Sequence, residues 1–77
     1  MRKKGLLKTH WDAGEIGCGH LVMELHRRLK QMNPGDEIEI VVRDPGAPTD
    51  LPAWCRMTGH LLISAAHPVY VIQRKQE

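Results

Sequence analysis

Phenylalanine is absent from this 77-residue chain, and two Trp and one Tyr supply all of its aromatic rings. So few rings leave little on which to stack bases, which disfavours direct nucleic-acid binding through aromatic platforms. They also hand the interior to Leu, Ile, Val and Met. Cysteine is scarce: Cys18 and Cys55 allow one disulfide at most, not the dense framework of a small secreted domain. No apolar run approaches the ~20 residues that span a bilayer. No charged stretch leading into an apolar one opens the chain as a secretion signal would. The expectation is a cytoplasmic protein, off the membrane, with both thiols reduced. A large excess of charge is missing too, since a formal net charge of +2 is too small to demand a polyanionic partner. The basic residues gather at Arg2, Lys3 and Lys4, at Arg27, Arg28 and Lys30, and at Arg74 and Lys75. They read as solvated ends and a solvated helix face, or as a surface that docks on acidic protein.

What is present suits a single small domain with a thin core: 42% of residues are hydrophobic and 26% charged. Residues 6 to 12, LLKTHWD, can form a strand, followed by a turn between Gly14 and Gly17. From Cys18 the period changes. Leu21, Val22, Leu25, Leu29 and Met32 share one side of a helical wheel, with His20, Glu24, Arg27, Arg28 and Gln31 opposite, and Pro34 and Gly35 end the helix. EIEIVVR, residues 37 to 43, alternates as a half-buried strand. DPGAPTD, from Asp44 to Asp50, reads as a loop whose last residue caps a second helix. Leu51, Trp54, Cys55 and Thr58 form that helix's inner face, and Gly59 stops it. HLLISA and VYVIQR are then two strands joined across AHP. The order is β-α-β-α-β-β, an α/β (α+β) two-layer sandwich with two helices on one face of a four-stranded mixed sheet.

The chemistry centres on GEIGCGHL, residues 14 to 21. A cysteine at the start of a helix meets unpaired N–H groups and the positive end of the helix dipole, both of which favour a thiolate. Cys18 is therefore either a reactive thiol or a small buried residue at a helix start. Cys55 lies on an apolar helix face and reads as core. Five histidines and two cysteines raise the question of a metal, but there is no CxxC pair and no HxxxH pair on one helix face. No metal site is expected, and His10, His26 and His67 read as scattered surface or loop residues. Walker and GxSxG patterns are absent. Asp12 and Asp44 read as turn residues that accept backbone hydrogen bonds, and His60 as a polar anchor at the start of a strand.

Taken in order, Asp12, Gly14, Cys18, Pro34-Gly35, Asp44-Pro45, DLPAWC and GHLL resemble the TusA/SirA-like sulfur-carrier family over residues 6 to 74. The resemblance implies a persulfide carried on Cys18, loaded by a cysteine desulfurase or a rhodanese-like donor. It also implies unloading to an acceptor protein in tRNA thiolation, molybdenum-cofactor supply or sulfur oxidation. It implies no cofactor, a monomer, and a docking surface around Cys18 that includes Gly17, Gly19 and His20, with Arg27 and Arg28 as electrostatic guides. One departure stands out. The family signature is Cys-Pro-x-Pro, and here the residues are Cys18, Gly19, His20 and Leu21. Either the carrier is retuned, with the Gly19 N–H added beside the sulfur, or the chain is a diverged binding or regulatory module without efficient transfer. RNA binding rests only on a fold analogy with the C-terminal domain of a translation initiation factor and on the basic ends.

Overall fold

The computed structural model describes residues 8 to 76, the side chain of Cys18 excepted. The basic residues 2 to 4 and the first two residues of the expected opening strand, 6 and 7, lie outside the described residues. The element order is β1 (Lys8–Gly14), α1 (Cys18–Lys30), β2 (Glu37–Val42), α2 (Ala47–Thr58), β3 (Leu61–Ala66) and β4 (Val69–Gln73). The sheet order is β1-β2-β4-β3, with β1 parallel to β2 and the other neighbours antiparallel. This is the two-layer α+β arrangement that the alternation of patterns leads one to expect.

The core follows from two periods meeting. Leu21, Leu25 and Leu29 recur every fourth residue on α1, and Ile38, Ile40 and Val42 recur every second residue on β2. All six are buried together with Leu51, Cys55, Tyr70 and Ile72. The opposite side of the sheet, from Lys8 and His10 to Glu37 and Glu39, is wetter, and Lys8 and His10 lie 3.7 and 3.6 Å from Glu39. β3 is an edge strand with Leu61 and Ile63 exposed. A register irregularity between Leu62 and Ser64 interrupts its ladder, as bulges do at sheet edges.

The ends of α1, β2, β3 and β4 fall one or two residues from expectation, and two other boundaries differ in a way that has a clear physical cause. β1 runs on to Gly14, where Asp12 Oδ1 accepts the Gly14 N–H at 2.9 Å and the backbone takes φ +64°. That conformation strains any residue with a Cβ, so glycine is needed at this exit. α2 begins at Ala47, three residues before Asp50. Asp44 Oδ2 accepts the Gly46 N–H at 3.0 Å, and Pro48 supplies a preset φ to the first turn. Asp50 is thus an exposed acid in the first turn, favourable to the helix dipole but not the cap. Gly59, at φ +90°, closes α2 by donating its N–H to Cys55 O.

Candidate functional site

The parallel pair β1 and β2 delivers its two following loops to one end of the molecule. From β1 the chain passes through Gly14 to Gly17 and enters α1 at Cys18. From β2 it passes through Arg43, Asp44 and Pro45 and enters α2. Arg43 Nη1 lies 3.3 Å from Asp12 Oδ1, and the Arg43 N–H donates to Gly14 O at 3.2 Å. These bonds tie the two loops together, and neither is legible as a pair in the sequence. Glu15, Arg43, Asp44 and Pro45 line a shallow depression there.

Cys18 is the first residue of α1. Gly17 takes the extended cap conformation and offers no side chain to the helix, and no acid lies in the first turn. The first backbone bond of the helix runs from the Leu21 N–H to Gly17 O, at 2.9 Å. The N–H groups of Cys18, Gly19 and His20 therefore have no acceptor within the helix. This leaves the positive helix end at the cysteine's backbone with no acid in its own first turn. Gly17, Gly19 and His20 are exposed around it. Beside them a groove between the helices is lined by Gly19, Val22, Asp50, Ala53, Trp54 and Met57. Met57 is 78% exposed, and Met23 on α1 is 72% exposed.

Arg27 and Arg28 lie roughly 14 Å further along α1 and behave differently from one another. Both grip Glu24, Arg28 Nε at 3.0 Å from Glu24 Oε2. The hydrogen bond from Arg27 comes first among the causes that hold the Glu24 carboxyl below its ordinary range, and the same bond pushes the Arg27 guanidinium up. Arg27 stays exposed. Arg28 is half-buried and places its guanidinium 4.2 Å from the centre of the Trp11 ring, a cation–π contact that joins α1 to β1. The wheel assigns Arg28 to the solvent side because it cannot show the strand beneath.

Cys55 is 3% exposed, inside the core, and burial pushes its thiol up to about 11. It is the packing residue that its helix face implies. Among the described residues, no three of His, Cys, Asp and Glu come together in a way that could hold a metal ion. His67 pairs with Tyr70, Nδ1 to Oη 2.6 Å.

His60 anchors the chain after α2. Its Nδ1 accepts the Lys75 N–H at 3.0 Å, and its ring lies 5.5 Å from that of Trp54. Burial, and then the charges of Lys75, Arg74 and His26, hold His60 below its ordinary value of 6.5. The folded state thus prefers the neutral ring, and the unfolded state takes up the proton first. Stability from this group is complete above pH 6.5 and drains away as pH falls through the lowered folded value. Urea denaturation should show a loss of stability between about pH 7.5 and about pH 5.5 that shrinks in His60→Asn, whose Oδ1 can take the Lys75 N–H. An equal loss in both proteins would assign the pH dependence to other groups.

No helix among the described residues is long and apolar enough to cross a membrane. Comparison with known proteins agrees with the geometry. The family model for sulfurtransferase TusA matches residues 12–73. A sulfur carrier protein TusA of Pseudomonas paraeruginosa is 30% identical over 70 residues, covering 86% of this chain and 89% of its own length. A candidate sulfur carrier of Neisseria meningitidis is 36% identical over 55 residues, covering 71% of this chain and 74% of its own. The chain belongs to the TusA family of sulfur carriers.

Proposed function

We propose that this protein relays sulfane sulfur as a persulfide on Cys18, in the cytoplasm, from a cysteine desulfurase or rhodanese-like donor to an acceptor protein. The observation that carries the reading is the place of Cys18 in the backbone: first residue of α1, behind a glycine cap, with no acid in the first turn. A helix start of this kind favours both the thiolate that attacks and the anionic terminal sulfur that results.

The step balances without an added oxidant. The Cys18 thiolate, its proton already lost to solvent, attacks the terminal sulfur of the donor's persulfide. A new S–S bond forms at Cys18 as the donor's S–S bond breaks, and the donor departs as a thiolate. Unloading repeats the exchange with the acceptor as nucleophile. The exposed surface of Gly17, Gly19 and His20, with the Val22–Met57 groove beside it, offers a partner close approach to this end. Arg27, exposed and further along, suits electrostatic guidance of a partner. Both arginines hold Glu24, and Arg28 is engaged by Trp11 as well. The acceptor would serve tRNA thiolation or another thiolation route.

A second reading, a binding or regulatory module, is favoured by Gly19 and Leu21 standing where the family signature has proline. Intact-protein mass spectrometry after incubation with a cysteine desulfurase, pyridoxal phosphate and cysteine separates the two. The relay reading expects a gain of one sulfur atom in the parent and none in Cys18→Ser. A folded, reduced parent that gains nothing from either the desulfurase or an inorganic polysulfide would overturn it in favour of the module.

A further inference from the structure

The end of the molecule away from Cys18 holds a second concave site. His26 and Lys30 near the end of α1, Met57, Thr58 and His60 around the end of α2, and Arg74 and Lys75 after β4 line a pocket of about 310 Å³. Five of those seven side chains are basic, and among the described residues no carboxylate lines the pocket. The basic groups reach it from three separate parts of the chain and face the same space. This differs from an ordinary solvated helix face, where acids alternate with bases, as Glu24 does with Arg27 and Arg28.

Two of the cations are fixed in place. Arg74 Nη1 donates to Met32 O at 2.9 Å, and Lys75 Nζ donates to Thr58 O at 2.9 Å. Thr58 is the last residue of α2 and Met32 lies two residues past α1, so both carbonyls sit at or just beyond a helix C-terminus, where a cation is welcome. Each side chain retains N–H donors beyond that bond, so anchoring leaves capacity for a ligand. His60 is fixed as well. Its Nδ1 is occupied by the Lys75 N–H, which places the proton of the neutral ring on Nε2 and makes that atom a donor. Anchored donors lose little conformational entropy when a ligand arrives. Lys30, exposed, has no ion pair with a carboxylate among the described residues.

We infer that this pocket binds an oxyanion of the phosphate class, either as free inorganic phosphate or as the terminal phosphoryl group of a nucleotide. Several acceptor oxygens around one centre match donors converging from three directions. Its α1 residues, His26 and Lys30, stand roughly 12 to 18 Å along the helix from Cys18, and the inference does not rest on the sulfur reading, so Cys18→Ser should titrate as the parent does.

The test is an amide-detected NMR titration of the full chain with inorganic phosphate, at ionic strength held constant with chloride. Saturable shifts are expected at Thr58, His60, Arg74 and Lys75. Lys30→Glu should weaken binding by about tenfold or more, while Lys8→Gln, on the open face of the sheet, should leave it unchanged. If Lys30→Glu disturbs the fold, the milder pair His26→Gln and Lys30→Gln should show the same weakening. Adenosine monophosphate forms the second arm: tighter binding than phosphate at the same residues supports a nucleotide source, and equal binding supports phosphate alone. Shifts that rise without saturating, or that saturate equally in the variants, overturn the inference. So does binding seen only with an RNA oligomer, which would mark an extended basic surface instead.

Discussion

Leu21→Pro is expected to lower the stability of the fold by about 3–5 kcal/mol, whereas Gly19→Pro should stay within about 1 kcal/mol of the parent. The two substitutions would restore the family's prolines, yet the helix start treats them in opposite ways. Gly19 is exposed, its N–H has no acceptor in the helix, and a Cβ there would meet nothing within 4 Å. Proline removes only a donor that has no partner within the helix. It also disfavours helical backbone at the preceding residue, so Cys18 would shift toward the cap as the introduced proline took the first helical position. Leu21 is fully buried in the core, and its N–H makes the first bond of the helix, to Gly17 O. Proline there removes a core side chain and that bond together. For a chain of this length, with a total stability of roughly 4–12 kcal/mol, such a loss approaches the whole. Urea denaturation followed by circular dichroism gives both values, and Leu21→Ala isolates the side-chain part. A Leu21→Pro protein as stable as the parent would mean that the helix start re-forms around proline. If the Gly19 N–H supports the anionic sulfur, Gly19→Pro should also raise the Cys18 thiol pKa.

The same stretch shows what a sequence can and cannot convey. The four-residue recurrence of Leu21, Leu25 and Leu29 and the two-residue recurrence of Ile38, Ile40 and Val42 are properties of one element each. They place α1, β2 and nearly half of the core without knowledge of any neighbouring element. Asp12 and Asp44 are legible as turn acceptors because each bonds a backbone N–H two residues on. The start of α2 is not, because Asp50 is a good capping residue in isolation. What decides the boundary is the Asp44 turn and Pro48, two weaker signals acting together. Arg28 reads as solvated because its partner, Trp11, lies on another element and meets it only once α1 packs over β1. The basic pocket is hidden for the same reason. Lys30, His60 and Lys75 are far apart in the chain, and Arg74 and Lys75 look like a solvated end until their bonds to Met32 O and Thr58 O are known.

Alkylation in the native state is expected to consume one thiol quickly and leave Cys55 at least about a hundredfold slower than an ordinary cysteine. Burial pushes the Cys55 thiol up to about 11, some two units above the usual range, which alone cuts the reactive thiolate at neutral pH about a hundredfold. Access imposes a further delay, since a residue 3% exposed reacts only when the core opens locally. Cys18 begins a helix whose first N–H groups have no acceptor within it and whose first turn carries no acid, so its reaction should be the fast one. Iodoacetamide labelling followed by mass spectrometry should therefore give one modification in the folded protein and two in urea, and Cys18→Ser should remove the fast one. Two fast modifications would show that α2 opens readily and that Cys55 competes for sulfur. No fast modification in a folded, reduced protein would show that Cys18 is neither exposed nor activated. The relay chemistry would then lose its nucleophile, and the family fold would be serving this chain as a binding module.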